Sequence, residues 1–146
     1  MNERPAAADF AYFHELATRW SDCDMLGHVN NARFFTFDES ARLDYFEPLV
    51  GGERFRSEGG FILARIECDF LEQLRHPAQI RFGFRVRRIG RSSMNTEGAL
   101  FVGERLFAVT RAVLVWFDYL SNQPQPVPEH ARAFIRGRER IAPEEA

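Results

Sequence analysis

The spacing of apolar positions changes along this chain, and each change marks an element. Residues 10–20 read as a first strand, although His14 and the run Leu16, Thr18, Trp20 specify its faces only weakly. A helical period then takes over from about Ala32 to Leu49. Phe34, Phe37, Ala41, Tyr45 and Leu49 share one stripe of that helix, with Phe35 and Phe46 at its edge. So many aromatic side chains on one side predict a helix packed deep against a sheet. Asp38 and Arg42 fall inside the same stripe one turn apart, where they neutralise each other, and Glu39 reaches the same arginine. Pro48 and Gly51-Gly52 end the helix, and residues 50–60 read as a flexible loop.

Beyond that loop the period is two. Residues 61–72 set Phe61, Leu63 and Ile66 against Arg65, Glu67 and Asp69. Residues 79–89 set Ile80, Phe82, Phe84 and Val86 against Arg81, Gly83, Arg85 and Arg87. Residues 92–103 follow, with Met94, Thr96, Gly98, Leu100 and Val102 on one side. Residues 105–118 form the longest strand, and its apolar run from Ala112 to Phe117 predicts a central position, buried on both faces. Strand, helix, then four strands in meander is an α+β order, one helix against one antiparallel sheet. A second copy extending the sheet edge to edge would protect its outer strands. The flanks differ. Residues 1–9 read as a flexible arm, and residues 10–120 as the folded domain. Residues 121–146 hold a proline-containing segment that cannot continue a sheet, a short helix from Glu129 to Arg138 and a polar tail.

Composition narrows the function classes. The 146 residues are enough for one domain with a sizeable core. A formal net charge of -2 gives no global field toward nucleic acid or a membrane surface, so neither is expected as a partner. All 19 basic residues are arginine, which excludes a Schiff-base lysine and a P-loop lysine. Cys23 and Cys68 have neither metal-ligand spacing nor the look of a disulfide framework. With no signal-peptide run at the start and no stretch of bilayer length, a cytoplasmic location is expected.

The chemistry concentrates between the first strand and the helix, in Asp22, Asp24, Gly27, His28, Val29, Asn30 and Asn31. Gly27 lets the backbone bend, and either Asn30 or Asn31 caps the helix. An acid beside a helix N-terminus sits in a positive field next to unpaired N–H donors. That pairing suits attack on a carbonyl carbon while its oxygen is held. Asp24 serves as nucleophile or as the base that activates water, and the sequence does not choose. His28 orients substrate or water; the backbone N–H groups of Val29, Asn30 and Asn31 are candidate oxyanion donors. Asp22 is expected to hydrogen-bond the turn. Cys23 lacks a second histidine to activate it, and Asp22, Asp24 and His28 lack a distant fourth ligand, so no metal is expected.

The run DCDMLGHVNN, followed by an aromatic helix and Ser40-Ala41-Arg42, resembles the 4-hydroxybenzoyl-CoA thioesterase-like branch of the hotdog superfamily. The resemblance spans residues 10–118. It implies a hotdog fold, a long central helix wrapped by a five-stranded antiparallel sheet, assembled as a homodimer or homotetramer. It implies hydrolysis of an acyl-CoA to the free acid and coenzyme A, with no cofactor, since coenzyme A is part of the substrate. The second aspartate of the motif, Asp24 here, is the catalytic acid by family position. Gly60 matches a backbone donor, and Asn31 stands where some relatives carry a tyrosine. Coenzyme A brings phosphates, and the run Arg87, Arg88, Arg91, Ser92 and Ser93 at a strand turn can pair with them, Arg88, Arg91 and Ser92 foremost. Two other readings of a hotdog chain are a non-catalytic acyl-CoA-binding module and a hydratase or dehydratase. A binding module has no need of Asp24, and a dehydratase needs a histidine–acid pair for which only His28 is available.

Overall fold

The computed structural model describes residues 3–146. Helix α1 runs Asn31–Val50, and its buried positions are Phe34, Phe37, Asp38, Ala41, Arg42, Tyr45, Phe46 and Leu49, the expected stripe with its internal ion pair. Each large side chain so buried contributes about 1.5–3 kcal/mol, so this face drives the helix into the sheet. Pro48 lies inside the helix rather than ending it. It lacks only the one N–H that would reach Asp44, and the Gly51 N–H still closes the last turn on the Glu47 carbonyl at 2.7 Å.

The sheet holds β1 (Phe13–Ala17), β2 (Gly60–Phe70), β3 (Gln79–Ile89), β4 (Ser93–Val102) and β5 (Arg105–Asp118), with two-residue strands β6 (Gln123–Pro124) and β7 (Glu144–Glu145). The five longer strands lie in the order β1-β3-β4-β5-β2. Only β3, β4 and β5 meander. β2 crosses to the far edge and pairs antiparallel with β5, Gly60 opposite Phe117 and Phe70 opposite Ala108. The connection back to β3 passes beneath the start of α1, anchored by the buried Leu74, whose carbonyl accepts the Val29 N–H at 2.8 Å.

Other sequence expectations also shift. β1 is shorter than residues 10–20, because Phe10 turns into a second cluster on the outer face with Ala99 and Phe101. The longest strand is not central. β5 alternates, with Ala112, Leu114 and Trp116 buried and Val113, Val115 and Phe117 half-exposed. The longest continuously buried stretch is Thr96–Phe101 of β4, the strand with two neighbours on each side, followed by Phe82–Val86 of β3. Within the loop expected at 50–60, Arg54–Glu58 forms a helical turn, α2, where Phe55 packs against Tyr119 with ring centroids 5.3 Å apart. The segment after β5 does touch the sheet. β6 bridges β5 for two residues, and the next donor is the Gln125 N–H rather than a proline.

The arm expected at 1–9 is described from Glu3, and it lies along the outer face. Arg111 donates to the Glu3 carbonyl, Arg140 to that of Ala8 and Arg85 to that of Asp9. At the other end, helix α3 spans Glu129–Arg138, as expected. Glu139 beyond it accepts from the Tyr45 hydroxyl at 2.5 Å and the Val86 N–H at 2.8 Å, tying the tail to α1 and β3. Among the described residues no helix is long and apolar enough to cross a membrane.

Gly98 of β4 has no room for a side chain: a Cβ there would collide with the Thr110 hydroxyl of β5 and meet Phe82 of β3 at 2.5 Å. Thr110 in turn donates to Asp38 at 2.6 Å. Gly98→Ala is therefore expected to cost about 1–3 kcal/mol, read as a lowered denaturation midpoint at unchanged slope.

Candidate active site

The turn that follows β1 is built around two acids with opposite surroundings. Asp22 is buried. Its carboxylate accepts from the Arg19 N–H at 2.7 Å and the Arg19 guanidinium at 3.0 Å, with Arg33 at 3.6 Å. Burial alone would push its pKa up. The Arg19 hydrogen bonds and the charges of Arg19 and Arg33 outweigh that and hold it below the ordinary carboxylate value. Asp22 is thus the structural acid of the turn.

Asp24 is half-buried. One carboxylate oxygen accepts from the Leu26 N–H at 2.9 Å and the other from the Asn30 side-chain amide at 3.1 Å. Two donors fix the group while leaving lone pairs free. The backbone closes around it, Asp24 N–H to His28 carbonyl at 3.0 Å and Gly27 N–H to Asp24 carbonyl at 3.1 Å. Gly27 has φ +83°, a conformation that a side chain resists, and no atom lies within 4 Å of its absent Cβ. Its role is conformational. Asn30 is the helix cap: its side-chain oxygen accepts the Ala32 N–H at 2.9 Å while its amide holds Asp24. Both ends of that amide are engaged within the turn, so Asn30 positions Asp24 rather than standing free for a ligand.

Beside the turn is a cavity of about 280 Å³ walled by His28, Val29, Asn31, Phe34, Phe70 and the 71–74 connection. Asp24 adjoins this cavity through its neighbours His28 and Val29 and is not itself part of the wall. The expected oxyanion donors are reduced by the fold. The Val29 N–H is taken by Leu74 and the Asn30 N–H by the Asp22 carbonyl at 2.8 Å. Asn31 keeps an N–H with no partner among the described residues, at the first turn of α1.

Gly60 does not join this group within one chain. Phe34 near the start of α1 packs on Phe70 with centroids 5.2 Å apart, and Phe46 near its end packs on Phe61 at 4.5 Å. β2 therefore runs antiparallel to α1, and Gly60 lies one helix length, ~30 Å, from the acidic turn. The Arg91-Ser92 turn is at the Gly60 end, since the Trp116 N–H donates to the Ser92 carbonyl at 2.8 Å and Gly60 pairs with Phe117. Arg88 does not share a cavity with that turn. It lines a separate hollow of about 290 Å³ on the outer face, with Arg65, Arg87, Arg111 and Glu97.

The remaining candidates have structural places. Asp38 is buried and accepts from Arg42 and from Thr110, each at 2.6 Å; burial nevertheless raises its pKa. Cys68 is pushed up to about 12 by burial, then by the charges of Asp69 and Asp38, which suits no thiolate chemistry. Among the described residues no three His, Cys, Asp or Glu side chains are grouped to hold a metal ion. The feature missed in sequence was Leu74, whose carbonyl removes a candidate donor; only the pairing of the connection with the turn reveals it.

The chain belongs to the thioesterase-like superfamily, whose model matches residues 18–135. The PA5185 protein of Pseudomonas aeruginosa superposes with a TM-score of 0.83 at 30% identity, over 96% of this chain and 99% of that one. A thioesterase of Thermus thermophilus, solved with coenzyme A and zinc, gives 0.79 at 33% identity, over 88% of this chain and 95% of that one. YsmA of Bacillus subtilis strain 168, an uncharacterised protein, is 30% identical over 100 residues, 66% of this chain; the match spans 63% of that protein's length.

Because Asp22 is held below its ordinary pKa, its stabilising contribution is present above about pH 4 and is lost as pH falls through its folded value. Asp22→Asn is expected to cost about 1–3 kcal/mol at neutral pH. It should also flatten the acid limb of stability below about pH 4, measured by denaturation at a series of pH values.

Proposed function

We propose that this chain is an acyl-CoA thioesterase that hydrolyses its substrate to a free acid and coenzyme A, with Asp24 as the catalytic acid. The observation that carries this reading is the two-point tether of the half-buried Asp24 carboxylate, one turn from an apolar cavity. As nucleophile or as base toward water, such a group acts on a thioester carbonyl lodged in that cavity. The Asn31 N–H offers an oxyanion donor in the field of the α1 N-terminus. His28 on the wall orients the substrate or the attacking water.

The separation of Gly60 and Arg91 from Asp24 is resolved by a second copy. β2 is an edge strand with Leu63 43% and Phe70 46% exposed. Two β2 strands paired antiparallel about a two-fold axis set the Gly60 end of each against the Phe70 end of the other. The active unit in this reading is a homodimer in which Asp24 and His28 of one copy face Gly60 and the Arg91-Ser92 turn of its partner.

The test is thiol release from acetyl-, hexanoyl-, palmitoyl- and benzoyl-CoA by the native chain and by Asp24→Asn. Hydrolysis of at least one of these is expected, with a fall of ~10²-fold or more in the variant. Equal rates in the two proteins would remove Asp24 from the mechanism, and absence of turnover with bound coenzyme A would favour a binding module instead. Asn30→Ala is expected to lower kcat by about tenfold at little change in KM, because it loosens the acid and not the ligand.

A further inference from the structure

The turn between β3 and β4 has an unusual backbone. Four consecutive carbonyls, from Ile89 to Ser92, are all held by donors from elsewhere in the chain. Ile89 accepts from the Ala146 N–H at 3.0 Å, Arg91 from the Val127 N–H at 2.8 Å and Ser92 from the Trp116 N–H at 2.8 Å. Gly90 accepts from the Arg132 guanidinium at 2.5 Å. Three of the four donors come from the C-terminal segment, which the proposed chemistry does not use.

The consequence follows from peptide geometry. In a trans peptide the carbonyl and the next N–H point in opposite directions. Fixing the Gly90 and Arg91 carbonyls toward the C-terminal segment therefore turns the Arg91 and Ser92 N–H groups away from it. Neither N–H has a partner among the described residues, and neither does the exposed Arg91 guanidinium or the Ser92 hydroxyl. Two successive unpartnered N–H groups facing outward beside an arginine favour an anion, with the competing carbonyl dipoles turned away.

Arg132 is the keystone. Its Nε donates to the Val127 carbonyl at 3.2 Å, one terminal nitrogen to Glu145 at 3.1 Å and the other to Gly90. Glu145 is itself gripped by Arg136 at 2.8 and 2.9 Å. The fork thus joins α3, the tail and the turn in one network, a task suited to a planar guanidinium.

We propose that residues 127–146 are the positioning element of a phosphate-binding turn, with Arg132 as its positioning residue, and that the turn takes a phosphate of coenzyme A. The identity of the ligand rests on the function proposed above; the donor geometry does not. The measurement is calorimetric affinity for coenzyme A and for pantetheine, which lacks the nucleotide, in the native chain and in Arg132→Met, Arg132→Lys and Arg91→Ala. Arg91→Ala removes a phosphate contact and Arg132→Met its support. Each is expected to lower the preference for coenzyme A over pantetheine by about tenfold, the scale of one hydrogen bond to a charged group. Arg132→Lys keeps one donor without the fork and should fall between. A merely structural Arg132 would weaken both ligands alike. If Arg91→Ala lowers the preference and both Arg132 variants leave it intact, the positioning role is refuted while the turn remains the phosphate site. If no variant changes it, the turn binds no phosphate and the inference falls. A native chain that binds coenzyme A with this preference but releases no thiol would overturn the hydrolase reading and leave this one standing.

Discussion

One side-chain amide, that of Asn30, couples the folding of this chain to its candidate chemistry. Its oxygen begins α1 by accepting the Ala32 N–H, and its nitrogen holds a carboxylate oxygen of Asp24. A helix that starts anywhere else would leave Asp24 held only by the Leu26 N–H. The start is fixed in turn by the aromatic stripe. Phe34, Phe37, Tyr45 and Phe46 are each at most 4% exposed, so the helix cannot slide without opening the core. The position of the acid is thus inherited from packing over the whole length of α1, and the local turn only refines it.

The same rigidity imposes a distance. A straight helix of 20 residues separates its two ends by ~30 Å, and β2 follows it back along its flank. Everything that the chain offers near Gly60, including the donor turn at Arg91 and Ser92, is kept from the acidic turn by that rod. No side-chain movement closes such a gap. An antiparallel pairing of edge strands closes it twice, once at each end, which makes the exposed length of β2 part of the functional architecture in the proposed dimer.

Much of this was legible in the chain. The 3.6-residue stripe located α1 to within a residue at each end, since nothing else explains five apolar groups at that spacing. The period-two segments located β3, β4 and β5 equally well. What failed were readings that depend on neighbours. The apolar run Ala112–Phe117 looked central, yet burial on both faces went to β4, because the N-terminal segment with Phe10 and Phe13 covers the outer side of β4. The meander failed because β2 pairs with β5 and not with the next strand β3, a pairing between residues far apart in the chain. At the site, the tether of Asp24 was foreshadowed by Asn30 in the motif. The loss of the Val29 and Asn30 N–H groups to Leu74 and Asp22 had no sequence signal.

The inner cavity and the outer hollow are nearly equal in size, and volume alone does not choose between them. Their chemistry does. In the outer hollow the buried Glu97 accepts from Arg85 at 2.6 and 3.1 Å and stands 3.4 Å from both Arg87 and Arg111, while Arg65 is paired with Glu67 at 2.8 Å. Most of its charges are directed at one another, and the acid there without a partner among the described residues, Glu144, is exposed to solvent. Glu97 acts instead as a clasp across β3, β4 and β5 on the face opposite α1. The inner cavity has the reverse balance: Val29, Phe34 and Phe70 give it apolar walls, and the polar groups at its rim, His28 and the Asn31 N–H, are uncommitted among the described residues. An apolar hollow with a few convergent polar groups is the usual form of a small-molecule site, and it suits the acyl substrate of the proposed function. The sheet therefore differs between its two faces, with charge pairing on the outside and, beside the start of the helix, the cavity to which the proposed acyl chemistry is assigned.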